Sequence, residues 1–296
     1  MKITNFLKYS FLGLFGVLVV LIIWGLIEPK FLDIEEQTAI VPNLPPAWEG
    51  KLIGQLSDFQ TGMWFDNTGT MRRSIETLVE KRPAAVLISG DFIYHSLPNP
   101  SEELSKVTNA IQPLIAANIP TYAVLGNHDY SHKPPIPELG DRVKAALEKI
   151  GVTVLENQAV KINSPVVNNN QPLYLVGIGS YIANNADVNK ALSQLPDNSP
   201  RVVMMHNPAS FATFPPQTAP FAVAGHTHGG QIRLPFTPQW SWVSLVKGEE
   251  VYGDGWIKDY GKQGNQLYVN RGIGFSDVPL RINCPPEVTL FTLRSK

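Results

Sequence analysis

The residues best equipped for chemistry fall in short polar clusters, each at the end of an apolar run. They are Asp58-Phe59-Gln60 after residues 51–57, Gly90-Asp91 after 84–89, Gly126-Asn127-His128-Asp129 after 121–125, and Gly225-His226-Thr227-His228 after 221–224. Met204-Met205-His206-Asn207 adds a fifth point of the same kind. Carboxylate and amide oxygens with imidazoles are donors suited to divalent cations, and glycines beside them let the backbone approach closely. Two such cations can hold a hydroxide between them, bind phosphate oxygens and neutralise the charge that develops in an in-line displacement. Asp58, Asp91 and a hydroxide would leave two divalent cations with a small net positive charge, enough to favour an anionic ester without a basic surface. His226 and His228, two residues apart, share one side of an extended segment.

Positioning these clusters requires strands that end where they begin. Residues 51–56, 85–89 and 121–125 read as strands, alternating with helical patterns over Met71–Lys81, Glu102–Ala117 and Pro137–Ile150. Pro113 predicts a kink or split in the second helix, and Gly151 caps the third. Strand–helix–strand order with right-handed crossovers gives a mostly parallel sheet. The second half predicts shorter strands at 152–155, 159–162, 173–179, 201–206, 221–225, 231–234, 266–270 and 287–293, a polar hairpin loop at 166–171 and a helix near 186–195. A second, mixed sheet packed on the first accounts for that order. Ligand loops then gather at the carboxyl ends of strands.

The chain has 296 residues, 44% apolar and 17% charged, with a formal net charge of -1. That balance argues against a nucleic-acid partner and for a sizeable core plus a membrane segment. Its one cysteine, Cys284, excludes an intrachain disulfide and reads as a small buried apolar residue. Tyr9–Ile27 is an uncharged run of 19 residues. As a helix it would span about 28 Å, close to the roughly 30 Å of bilayer hydrocarbon. Lys2 and Lys8 precede it while Glu28, Asp33, Glu35 and Glu36 follow, which predicts a cytoplasmic tail at 1–8 and an extracytoplasmic remainder. No small-residue cleavage site follows the run, so it reads as a signal anchor in the cytoplasmic membrane rather than a cleaved peptide. The proline-containing stretch 28–49 reads as a stiff stalk and 50–296 as the catalytic domain.

In order and spacing, Asp58-x-Gln60, Gly90-Asp91, Gly126-Asn127-His128-Asp129, His206 and Gly225-His226-Thr227-His228 resemble the calcineurin-like metallophosphoesterase superfamily. The sequence looks closest to the membrane-attached bacterial branch often labelled phosphodiesterase or UDP-2,3-diacylglucosamine hydrolase-like. The resemblance covers roughly residues 51–293, including Gly229-Gly230-Gln231 and Asn270-Arg271-Gly272. It implies an α/β fold, a four-layer αββα sandwich, here with an N-terminal transmembrane helix. It also implies a first metal site of Asp58, Gln60, Asp91 and His228, and a second of Asp91, Asn127, His206 and His226, with Asp91 bridging. His128 would assist the leaving oxygen, and Asp129 would orient its imidazole. Where the family's first motif has Asp-x-His, this chain has Gln60. A neutral amide oxygen there shifts preference toward Mn²⁺ or Mg²⁺, with Fe or Zn²⁺ as alternatives.

The expected activity is hydrolysis of a phosphate ester, a diester ahead of a monoester, with a metal-binding module lacking turnover as the alternative. Arg271 reads equally as a substrate-phosphate ligand or as a partner for a buried carboxylate. His95 and His132 match no motif position and read as rim histidines. Trp64, Phe65, Phe236, Trp240, Trp242 and Trp256 are each expected in the core taken singly, but as a group they suggest a lipid-linked substrate.

Overall fold

Strands buried on both faces carry continuous apolar runs, and here successive residues of one run face two different cores. In Ala85–Ile88, Ala85 and Leu87 point to one apolar cluster while Val86 and Ile88 point to another. Val202 and Met204 likewise divide from Val203 and Met205. Those alternations fix the layers of the computed structural model, which describes residues 2–63, 65–94, 99–131, 133–162, 172–233, 241 and 253–296.

In chain order the described elements are α1 (Lys2–Ile27), β1 (Asp33–Ile40), β2 (Leu52–Leu56), α2 (Thr68–Lys81), β3 (Ala85–Ile88), α3 (Ser101–Ala116), β4 (Thr121–Ala123), α4 (Pro137–Lys149), β5 (Thr153–Val154) and β6 (Gln158–Ile162). They continue with β7 (Leu173–Gly177), α5 (Val188–Leu192), β8 (Arg201–Met204), β9 (Ala222–Ala224), β10 (Gly255–Ile257), β11 (Leu267–Val269) and β12 (Glu287–Arg294). One sheet has the order β1-β12-β2-β3-β4-β5, the other β10-β11-β9-β8-β7-β6. Parallel pairing joins β2 to β5 through β3 and β4, and β7 to β11 through β8 and β9; β12 runs antiparallel to β2.

Three apolar layers hold the sheets together. Helices α2, α3 and α4 cover the outer face of the first sheet over Met71, Ile75, Val107, Ile111 and Val143. Between the sheets lie Trp48, Ile53, Leu87, Leu175, Phe221 and Phe291. Outside the second sheet, Val188 of α5 joins Phe211 and Phe214. The expected four-layer α/β arrangement is therefore the observed one.

Several expectations are corrected. The stretch 28–49 is not a stalk: β1 pairs in parallel with β12 from Asp33↔Glu287 to Ile40↔Arg294, and Trp48 is fully buried between the sheets. The strand escapes a hydrophobic reading because its polar side chains face the protein. Asp33, Glu35 and Gln37 are partly buried, whereas Ile34 and Ile40 point outward. Helix α3 runs unbroken through Pro113, whose carbonyl still accepts from Ala117 N at 3.0 Å. Ile232 and Arg233 form isolated bridges instead of a strand, and β10 was not expected. The hairpin loop at 166–171 lies outside the described residues.

Candidate metal centre

Five candidate segments leave the carboxyl ends of parallel strands: 58–60 after β2, 90–91 after β3, 126–129 after β4, 206 after β8 and 225–228 after β9. Close approach between them demands glycine. A Cβ on Gly126 would lie 2.1 Å from Asp91 Oδ1, and one on Gly225 would lie 1.7 Å from Ser57 Oγ and 2.6 Å from Asp58 Oδ2. Asp58, Gln60, Asp91, His226 and His228 all adopt left-handed backbone, with φ of 55°, 50°, 57°, 74° and 50°. Such conformations cost roughly 1 kcal/mol or more each in residues bearing a side chain, so their concentration here marks the site.

Asp91 lies at the centre. Its Oδ1 accepts from His128 N at 2.8 Å, its Oδ2 accepts from Gln60 Nε2 at 2.8 Å, and His206 Nε2 is 3.2 Å from the same oxygen. His206 Nδ1 donates to Ser89 O at 2.7 Å, which turns Nε2 toward Asp91 and toward Asn127 Oδ1 at 3.1 Å. The His226 ring packs edge-on against His206 with centroids 5.1 Å apart. One ligand atom each from Asp91, His206 and His226 falls within 4.8 Å of the others, a spacing that could hold a cation. On the other side, Asp58 accepts from His226 N at 3.0 and 3.2 Å, and His228 Nε2 is 3.5 Å from Asp58 Oδ1.

Gln60 tests whether a cation fits this second group. Its Oε1 is buried with no hydrogen-bond partner, while its Nε2 faces Asp91 Oδ2 and His228 Nε2, the latter at 3.4 Å. A half-turn of the amide would exchange the two ends and set the oxygen among these donors. A cation there would satisfy the orphaned oxygen and balance Asp58 and Asp91, which are 0% and 1% exposed. The donor set fits a hard divalent ion.

Burial pushes Asp58 up to about 6, against the His206 charge and with the Asp91 charge. Burial also favours neutral Asp91, but the imidazoles of His206 and His128 outweigh it and hold that carboxyl well below the usual carboxylate range. His206 is pushed down by burial, yet the charge and hydrogen bond of Asp91 prevail and raise it to about 9. His228, desolvated and facing the Arg281 charge, stays neutral, ready to donate a lone pair.

Asp129 departs from its expected role. Its Oδ2 accepts from Asp91 N at 3.0 Å and Gly126 N at 2.8 Å, and its Oδ1 from Phe92 N at 2.8 Å and Ile93 N at 3.2 Å. It therefore staples two site loops together through their backbone, while the His128 ring stacks on Tyr94 with centroids 4.6 Å apart. Arg271 resolves toward carboxylates, pairing with Asp33 at 2.7 Å, Glu287 at 2.9 Å, Glu35 at 3.2 Å and Asp254 at 3.5 Å. A phosphate brought there would meet that negative charge. Trp256 packs with Phe221, Tyr268 and Phe291, whereas Phe65 is exposed. His95, His132, Trp64, Phe236, Trp240 and Trp242 lie outside the described residues.

Sequence reasoning gave no role to Asn207, whose Nδ2 donates to Asn127 Oδ1 at 3.2 Å while its Oδ1 accepts from Tyr181 N at 3.0 Å. Its position directly after His206 was the available signal. Nor did it single out Tyr94 beside His128.

Two measurements follow from this geometry. With His206 raised to about 9, the metal-free protein holds a proton at pH 7.5 that a cation must displace. Calorimetric Mn²⁺ titrations in buffers of different ionisation enthalpy should report release of about one proton, with affinity rising as pH approaches 9. A buffer-independent enthalpy would contradict this. Asp129→Asn turns one acceptor into a donor against buried N–H groups. It should lower stability by at least about 2 kcal/mol even in chelator; an unchanged denaturation midpoint without metal would rule out the staple.

A family model described as calcineurin-like phosphoesterase matches residues 51–230. Phosphodiesterase YaeI of Escherichia coli is 33% identical over 215 residues, covering 73% of this chain and 72% of its own. Metallophosphoesterase YkuE of Bacillus subtilis is 28% identical, with 91% and 88% covered. A Danio rerio transmembrane protein with a metallophosphoesterase domain is 25% identical over 94% of this chain and 61% of its own. Together with strand-end loops that gather acids and imidazoles into one buried cluster, these matches mean that the chain belongs to the calcineurin-like phosphoesterase family.

Proposed function

We propose that this phosphoesterase is a phosphodiesterase that acts on a lipid-linked phosphate ester at the outer face of the cytoplasmic membrane, using two divalent cations. The observation that carries the reading is the convergence of buried Asp58 and Asp91, the orphaned Gln60 oxygen and the His206 and His226 imidazoles at one set of strand ends. Asp58, Gln60, Asp91 and His228 would hold one cation; Asp91, Asn127, His206 and His226 would hold the other. Hard oxygen donors, Gln60 among them, favour Mn²⁺ or Mg²⁺. When bound, the pair supplies Lewis acidity toward phosphate oxygens and a nucleophile at neutral pH.

The chain's own residues do the rest. Asp91 fixes the backbone of His128 through its N–H at 2.8 Å, and Tyr94 stacks on the ring. So held, His128 donates a proton to the departing alkoxide, which a diester with a poor leaving group needs. Ser89 keeps the His206 tautomer and Asn207 keeps the Asn127 amide in orientation. The YaeI relative's name, phosphodiesterase, supports the diester reading.

Helix α1 supports the location. Asn5–Lys30 is long and apolar enough to cross a membrane, and the lysines before it favour an outward domain. Phe31, 64% exposed just past α1, and Phe65, 43% exposed in the segment that follows Gln60, are exposed apolar side chains close in sequence to the anchor and to the first motif. That arrangement favours a substrate carried by the bilayer.

The test is turnover by the purified full chain with Mn²⁺ on bis-p-nitrophenyl phosphate, p-nitrophenyl phosphate and a micellar phospholipid diester. The diesters should be cleaved faster, the micellar one most efficiently. His128→Ala should lower kcat on the phospholipid diester, whose alkoxide leaves poorly, by about 10²- to 10⁴-fold, and on bis-p-nitrophenyl phosphate by less, with metal content unchanged. Preferential cleavage of the monoester, or full activity of His128→Ala on the phospholipid diester, would contradict the assignment.

A further inference from the structure

The end of α1 does not lead into a tether. Gly25 O accepts from Arg281 N at 3.0 Å, and a Cβ on Gly25 would come within 3.2 Å of Leu280 and 3.3 Å of Ile282. Glu28, only 6% exposed, accepts from Asn283 N at 2.9 Å and from Cys284 N. Thr70 Oγ1 donates to Pro29 O at 2.9 Å, and Arg73 donates to Lys30 O at 3.1 Å. A membrane helix ending this way is seated on the domain.

The segment that receives it, 281–284, touches the candidate metal centre from its other side. Cys284 Sγ donates to His228 O at 3.2 Å. Arg281 is fully buried, and among the described residues no carboxylate lies within ion-pair distance of it. Its guanidinium donates instead to main-chain carbonyls: Arg271 at 2.9 Å, Gly272 at 3.1 Å, Gly274 at 2.6 Å and Cys284 at 3.1 Å. The loop it gathers closes on the first motif, since Gly274 N donates to Asp58 O at 2.7 Å and Ile273 N to Ser57 O at 3.0 Å. A single hydrogen-bonded layer thus separates the last turn of α1 from the backbone of Asp58 and His228. A buried guanidinium is costly to desolvate, and here its hydrogen bonds to these carbonyls, with a longer contact to Cys284 Sγ, offset that cost while fixing the loop's shape.

We propose that the seated end of α1 is a structural part of the metal site built on Asp58, Gln60, Asp91 and His228, with Glu28 and Arg281 as positioning residues that set the backbone of its ligands. This rests on the ligand assignment above. Asn127 and His206 contact each other, Asn207, Asp91 and Ser89, so the link is expected to act less on the other site. Occupancy of one cation of the pair is then tied to the membrane anchor, and with it the activity.

The test uses the full chain in detergent micelles, titrated with Mn²⁺ and followed by electron paramagnetic resonance, with thermal unfolding in chelator as a check on folding. The native chain should bind two Mn²⁺ with a spin-coupled signal. Glu28→Gln and Arg281→Lys should weaken one of the two affinities by about tenfold or more while the other stays within about twofold. Cys284→Ala, a small change tolerated in packing, should act in the same direction on the same site. Arg73→Ala, which removes contacts to Lys30 O and Thr70 Oγ1 but none to 281–284, should leave both affinities alone. Unchanged affinities in folded Glu28→Gln, Arg281→Lys and Cys284→Ala would overturn the link, as would an equal loss at both sites. A native chain that binds fewer than two Mn²⁺ would overturn the two-metal reading itself, a result distinct from failure of the link.

Discussion

Asp58 and Asp91 are both withdrawn from water, and the charge of Asp91 makes Asp58 harder to ionise. A protein interior tolerates such a pair only with positive charge close at hand. Within the chain, His206 supplies some of it by holding a proton well above its ordinary range. In the proposed holoenzyme, divalent cations would supply that charge and His206 would give up its proton. The surrounding structure serves this requirement. The Asp129 carboxylate ties the loops after β3 and β4 through four backbone N–H groups, and Ser89 and Asn207 aim His206 and Asn127 inward.

The two sheets matter because they bring strand ends from distant parts of the chain into one place. β2, β3 and β4 point one set of carboxyl ends at the site, and β8 and β9 point another from the facing sheet. The apolar layer between them, centred on Phe221, Phe291 and Tyr268, keeps the two sets in register. Left-handed backbone at five of the candidate ligands is affordable because this packing over-determines the loops.

Much of the centre was legible because ligand chemistry leaves a local mark: acids, amides and imidazoles beside glycine, each directly after an apolar run. The parallel strands were legible for the same reason, as their runs are apolar on both faces. What was hidden depended on contacts far apart in sequence. β1 reads as a polar spacer because Asp33, Glu35 and Gln37 turn inward to Arg271 and Trp256, reversing the usual alternation. Arg271 could not be assigned without knowing that those acids return beside it. Asp129 looked like a partner for its neighbour His128, but its oxygens accept from Gly126 N and from three backbone groups 36 to 38 residues earlier. The seating of α1 through Glu28 joins residues separated by 255 and 256 positions, which no local pattern signals.

The central claim is that Asp91 bridges two cations, each held by loops from both sheets. Anomalous diffraction from crystals of the full chain grown with Mn²⁺ addresses it directly. The account predicts two manganese peaks flanking the Asp91 carboxylate, one within bonding distance of the Gln60 oxygen and His228, the other of Asn127, His206 and His226. A single peak, or a pair that Asp91 does not join, would contradict it.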